Sequence, residues 1–88
     1  MKTFKDLVFK DHEVSSHFSS QARMDFDNGY GVSVITGRGA YSDDDHPYEV
    51  AILFDGELTY NTHITDDVIG YQKVRGVTNI MKKVQLLK

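Results

Sequence analysis

The chain has 88 residues, a net charge of −3 from 13 acidic and 10 basic side chains, and no cysteine. That length makes one domain with a single modest core, and the lack of cysteine excludes disulfides, thiolate zinc sites and cysteine nucleophiles. Leu, Ile, Val and Phe supply 24 of the 88 residues, more than a disordered chain carries, while the basic residues are scattered apart from Lys82-Lys83 and form no stripe for phosphates.

The first segment, Met1 to Asp6, is charged and lacks the apolar run of a signal peptide, and no stretch approaches membrane-spanning length. A cytoplasmic protein with no membrane partner is expected. Thr3 to Phe9 places Leu7 and Phe9 on one face if extended, or Phe4, Leu7 and Val8 if helical, and a short strand is the reading adopted. Asp11 to Ser20 carries four serines and two histidines without a sustained period. It reads as a loop or mobile connection, which leaves residues 1–20 partly mobile within one domain spanning 1–88.

Two alternating runs, Ala22 to Phe26 and Tyr30 to Ile35, flank Asn28-Gly29 and specify a β-hairpin. A two-residue loop would set Phe26 against Gly31 and Met24 against Ser33, mixing apolar and polar groups on both faces. A three-residue loop, Asp27-Asn28-Gly29, sets Met24 against Val32 and Ala22 against Val34, leaving Arg23, Asp25, Gly31 and Ser33 opposite. Gly29 then occupies the position that needs positive φ, and a one-residue slip would turn the apolar set toward water.

Gly37 to Pro47, with glycines, the lone proline and Asp43-Asp44-Asp45, reads as a long exposed loop. Tyr48 to Phe54 follows as a strand with Tyr48, Val50, Ile52 and Phe54 on one face and Ala51 and Leu53 on the other, so it should lie centrally with its second face partly covered. Asp55-Gly56 turns the chain into Glu57 to Tyr60, a second hairpin. Asp66 to Tyr71 is either one turn or a bent strand end. Val74, Val77, Ile80, Met81, Val84 and Leu87 then recur at helical spacing, which predicts an amphipathic helix from about Lys73 to Leu87. The fold class is therefore α+β: a mainly antiparallel sheet of hairpins, 4–5 strands, with one C-terminal amphipathic helix packed on one face.

Asn28-Gly-Tyr-Gly-Val-Ser-Val-Ile35, Gly37-Arg-Gly-Ala-Tyr41, Tyr48-Glu-Val-Ala-Ile-Leu53, Leu58-Thr-Tyr60 and Thr65-Asp-Asp-Val-Ile-Gly-Tyr71 resemble a family of small proteins of tailed bacteriophages and prophages. The resemblance spans roughly residues 22 to 87 and implies phage origin and an accessory role, with no catalytic residue to carry over. The family pattern has a glycine and a shorter loop where this chain has Ser42 and the three aspartates.

Gly29-Tyr-Gly31 and Gly37-Arg-Gly39 would need a strand-to-helix turn to cradle phosphate, and here the first joins strand to strand and the second opens a loop, so they are turn glycines. His12, His17, His46 and His63 with Asp43 to Asp45 lack the spacings of zinc or calcium sites. His63, Thr65, Asp66 and Asp67 are adjacent in sequence, which does not supply the convergence acid–base catalysis needs. The serines at 15, 16, 19 and 20 lack a glycine-flanked elbow. No cofactor, metal or enzymatic activity is expected. Tyrosine is favoured at interfaces, so the expected partner-binding residues are Tyr41, Asp43, Asp44, Asp45 and Tyr48, with Asn28, Gly29, Asp55 and Gly56 as structural turns. The expected partner is a host or phage protein. The alternatives are an acidic inhibitor of a host defence nuclease or nucleic-acid-binding protein, then a small hydrolase or metal-dependent enzyme. A homodimer through an edge strand or the outer sheet face is a further option.

Overall fold

The computed structural model describes residues 1–11, 19–37 and 40–88. The described residues form six strands and one α-helix: β1 (Lys10–Asp11), β2 (Ser19–Asp25), β3 (Tyr30–Gly37), β4 (Tyr48–Phe54), β5 (Glu57–Leu58), β6 (Ile69–Gln72) and α1 (Val74–Gln85). Every pairing is antiparallel, in the order β1-β2-β3-β4-β5, and β6 joins the β4 edge beside β5. The class is the α+β arrangement expected, with two very short strands bringing the total above 4–5.

The first hairpin has the three-residue loop. Ala22 faces Val34 and Met24 faces Val32, Phe26 N–H donates to the Tyr30 carbonyl at 2.7 Å, and Gly29 has φ +88°. The second hairpin uses a two-residue loop in which Asp55 and Gly56 both take positive φ, the handed turn that matches strand twist. Its ladder is shorter than expected: Glu57 and Leu58 pair with Phe54 and Leu53, and Thr59 N–H still reaches the Ile52 carbonyl at 3.0 Å.

Near the N-terminus the strand expected over Thr3 to Phe9 is a 3-10 turn at Phe4–Asp6. The Asp6 carboxylate accepts the Thr3 N–H at 2.8 Å, a local bond that an extended chain could not make, and strand pairing begins only at Lys10. Ser19 and Ser20, expected in the preceding loop, belong to β2. The rest of that expected loop, residues 12–18, lies outside the described residues.

One face of the sheet meets α1. Val32, Val34, Val50 and Ile52 form the buried cluster with Val77, Ile80, Met81 and Val84. A 12-residue helix is marginal in water, and Gly76 with the β-branched residues lowers its propensity further. Full burial of each such side chain contributes about 1.5–3 kcal/mol, so tertiary packing holds the helix. Asn28 adds a polar tie: its Nδ2 donates to the carbonyls of Val84 at 2.9 Å and Leu87 at 3.0 Å, and its Oδ1 accepts the Tyr30 N–H at 3.1 Å. The hairpin turn thereby adds a donor to Val84, whose carbonyl also accepts the Leu87 N–H at 3.1 Å, and supplies one to Leu87 beyond the helix end.

Candidate functional site

The second face of the sheet carries the side chains that alternate with the core. Across β2, β3 and β4 its rows run Gln21–Ile35–Glu49, Arg23–Ser33–Ala51 and Asp25–Gly31–Leu53, the last continuing to Leu58 on β5. Apart from Asp25 and Gly31, these residues join Val68, Gly56 and Glu57 in lining a recess of about 440 Å³, within the range of ligand pockets. Ile35, Ala51, Leu53, Leu58 and Val68 supply its apolar surface. Leu53 is buried at 2% exposure while Leu58 at the rim is 57% exposed.

Polar groups frame this surface. Gln21 Nε2 donates to Ser33 Oγ at 2.7 Å. The Arg23 guanidinium crosses the face to the Gly56 carbonyl, drawing its charge to the hairpin end of the recess. At the other end, Glu49 is buried at 8% exposure, and its Oε1 accepts the backbone N–H of Tyr41 at 3.0 Å.

The position of Tyr41 follows from β6. Val50 pairs with Ile69 and Tyr48 with Gln72, so Gly70 and Tyr71 together stand opposite Glu49 as a bulge. Tyr71 holds φ +56°, unfavourable for a residue with a Cβ, and its N–H donates to the Tyr41 carbonyl at 2.8 Å. A Cβ at Gly70 would lie 2.7 Å from Tyr41 Cβ and 2.9 Å from its carbonyl oxygen, so glycine is what lets the two segments touch. Pinned from both sides by its backbone, Tyr41 is still 62% exposed, and Tyr71 is also exposed.

The five residues expected to form a contact loop therefore divide. Tyr41 adjoins the recess through Glu49. Tyr48 packs its ring 5.0 Å from Phe4 and 5.9 Å from Phe9, as part of the cluster that flanks the helix-side core. Asp43, Asp44 and Asp45 are exposed. Asp43 Oδ1 accepts the N–H of His46 at 2.6 Å and of Asp45 at 3.0 Å, which makes the acidic run a self-capped turn. The backbone N–H of His46, chiefly, holds the Asp43 carboxyl below its ordinary value; desolvation opposes it, and the His46 ring and the Asp45 N–H add smaller lowering effects.

Asp67 serves the turn before β6, where Val68 N–H donates to Asp67 Oδ1 and Asp67 N–H to Thr65 Oγ1, and Asp66 beside it is exposed. Among the described residues no group of three or more His, Asp or Glu is placed to hold a metal ion. His12, His17, Ser15, Ser16, Arg38 and Gly39 lie outside the described residues. What the sequence reading missed is the recess itself. Its signal was present in β4, where Glu49 alternates with Ala51 and Leu53 and so places an acid on an otherwise apolar face.

No protein-family model, curated protein or solved structure matches this chain. No helix among the described residues is long and apolar enough to cross a membrane.

Proposed function

We propose that this chain is a small phage-encoded accessory protein that acts by binding another protein, and that the second face of its sheet is the binding surface. One observation carries this reading: a recess of about 440 Å³ with an apolar floor, a buried carboxylate at one end and exposed Leu58 on its rim. Specific interfaces place apolar and aromatic anchors in well-packed pockets and surround them with polar groups. Tyr41, expected from sequence as a contact, enters the surface at the Glu49 end, while Tyr48 remains in the packing of the other face.

The alternative, an acidic inhibitor, assigns the contact to Asp44 and Asp45, whose carboxylates are exposed. Electrostatic association of that kind weakens steeply with salt, whereas contact with an apolar floor does not. The test compares capture of partner protein from bacterial lysate at low and moderate salt by the tagged chain, by Leu58→Asp, by Tyr41→Ala, and by a variant with Asp43, Asp44 and Asp45 all changed to Asn. A stoichiometric partner kept at moderate salt, lost with Leu58→Asp and retained by the triple variant is the expected result. Retention by Leu58→Asp with loss in the triple variant overturns the assignment in favour of the acidic loop.

A further inference from the structure

Glu49 is the one buried acidic residue of the second face among the described residues. It is more than nine-tenths buried, yet its one hydrogen-bond partner among the described residues is the neutral N–H of Tyr41. The one ion pair among them is His46–Asp43, so no lysine or arginine among the described residues pairs with Glu49. Ionised carboxylates offer about four acceptor sites, and buried carboxylates normally gather charged or multiple donors. Arg23 is on the same face but is committed to Gly56. Gly56 lies beyond Leu53, and Leu53 is itself four residues, about 13 Å at strand rise, from Glu49.

The recess between them has a defined polarity. An acid sits at one end, the apolar surfaces of Ile35, Ala51, Leu53 and Leu58 follow, and Glu57 adds a second carboxylate to the lining. Lysine and arginine side chains have the matching form, a hydrocarbon stem that packs on apolar surface and a cationic head that seeks acceptors. From this geometry we infer that the recess receives a lysine or arginine side chain of the partner protein, with the stem over Ala51 and Leu53 and the head donating to Glu49. The inference rests on the protein-binding reading above and specifies what the partner presents. It also accounts for Tyr41: the bulge at Gly70-Tyr71 fixes the N–H that orients the Glu49 carboxylate, so the acceptor is held in place before the cation arrives.

The test is an NMR titration of the full ¹⁵N-labelled chain with end-blocked peptides containing one central lysine, one central arginine or one central norleucine, the last keeping the stem without the charge. Saturable amide shifts at Ile35, Ala51, Leu53 and Leu58 are expected with lysine and arginine and not with norleucine. Glu49→Gln should weaken lysine binding by about tenfold, the difference between a charge-assisted and a neutral hydrogen bond. Leu58→Ala, a rim change that leaves the core intact, should weaken it as well and serves if Glu49→Gln does not fold. Equal binding of norleucine, shifts centred on Asp43 to Asp45, or no shift at millimolar peptide would each overturn the inference. If the peptides fail while partner capture still depends on Leu58, the cation assignment falls and the protein-binding reading stands. If capture ignores Leu58 and the lysine peptide still seats at Glu49, the reverse holds.

Discussion

Replacing Asn28 with alanine should unfold the link between the first hairpin and the helix. Asn28 is the sole side chain of its turn that reaches the helix end, through two bonds to carbonyls 56 and 59 residues away, and it also closes its own turn on Tyr30 N–H. Each neutral hydrogen bond contributes about 0.5–1.5 kcal/mol net, and the site is half-buried, so the loss should total about 2–3 kcal/mol. For a domain of this size that corresponds to a fall in Tm of about 10–20 °C, measured by circular dichroism on Asn28→Ala beside the parent chain. Asn28→Asp is the sharper variant. It keeps the Oδ1 acceptor for Tyr30 but turns a carboxylate oxygen toward two carbonyls at the negative end of the helix dipole, so at neutral pH it should lose more than alanine does. A Tm for Asn28→Ala within about 2 °C of the parent, or Asn28→Asp more stable than Asn28→Ala, would refute the capping role, since either result means those carbonyls are not held by this side chain.

Gly31→Ala should destabilise by about 2 kcal/mol or more in urea unfolding, because the new Cβ would lie 2.4 Å from the Met24 carbonyl oxygen and 3.1 Å from Asp25 Cα, backbone atoms that cannot step aside. Gly70→Ala should cost about 1–3 kcal/mol and lower protection of the Tyr71 amide in hydrogen exchange, since the methyl collides with Tyr41 and opens the 2.8 Å bond between Tyr71 N–H and the Tyr41 carbonyl. Tyr71→Gly, its neighbour, should leave stability unchanged or raise it by up to about 1 kcal/mol, because it relieves the positive φ of a residue exposed to solvent. Asp43 should titrate below 3.8 when followed by carboxyl ¹³C shifts. A lowered folded-state value means that its contribution to the loop is complete above about pH 4 and disappears as pH falls through that lower midpoint.

Where the chain declares its structure, it does so through patterns confined to neighbouring residues. The loop length of the first hairpin followed from side-chain agreement between Ala22–Phe26 and Tyr30–Ile35, because only one register keeps the apolar positions together. The central place of β4 followed from Ala51 and Leu53, which are buried on the face away from the helix. The helix was legible in period, although its ends lie within Val74–Gln85 rather than Lys73–Leu87. Features held by distant partners were not legible. Lys10-Asp11 is a strand only because Gln21 and Ser20 stand beside it. Ile69 to Gln72 carries a glycine and a left-handed tyrosine, so no alternation marks it; of the two readings open for Asp66 to Tyr71, a turn or a bent strand end, the strand is the one formed, with a bulge in its pairing to β4. The same limit applied to the candidate site. Tyr41 and Tyr48 are seven positions apart, yet one is tied to Glu49 on the second face and the other packs against Phe4 and Phe9 on the first. Proximity in sequence suggested a shared contact loop, whereas the backbone bonds of Tyr41 to Glu49 and Tyr71 and the place of Tyr48 in β4 give them different surroundings.

The most direct measurement of the binding surface is site-specific photo-crosslinking in bacterial cells expressing the chain, with the photoreactive residue at position 58 on the recess rim, at 44 in the acidic loop, or at 86 on the exposed side of the helix end. All three positions are exposed, so insertion should leave the fold intact. A discrete crosslinked protein from position 58, absent from 86 and diminished by Glu49→Gln in the same chain, is the expected result. Crosslinking from 44 or 86 with none from 58 would contradict the assignment of the second sheet face as the surface through which this protein acts.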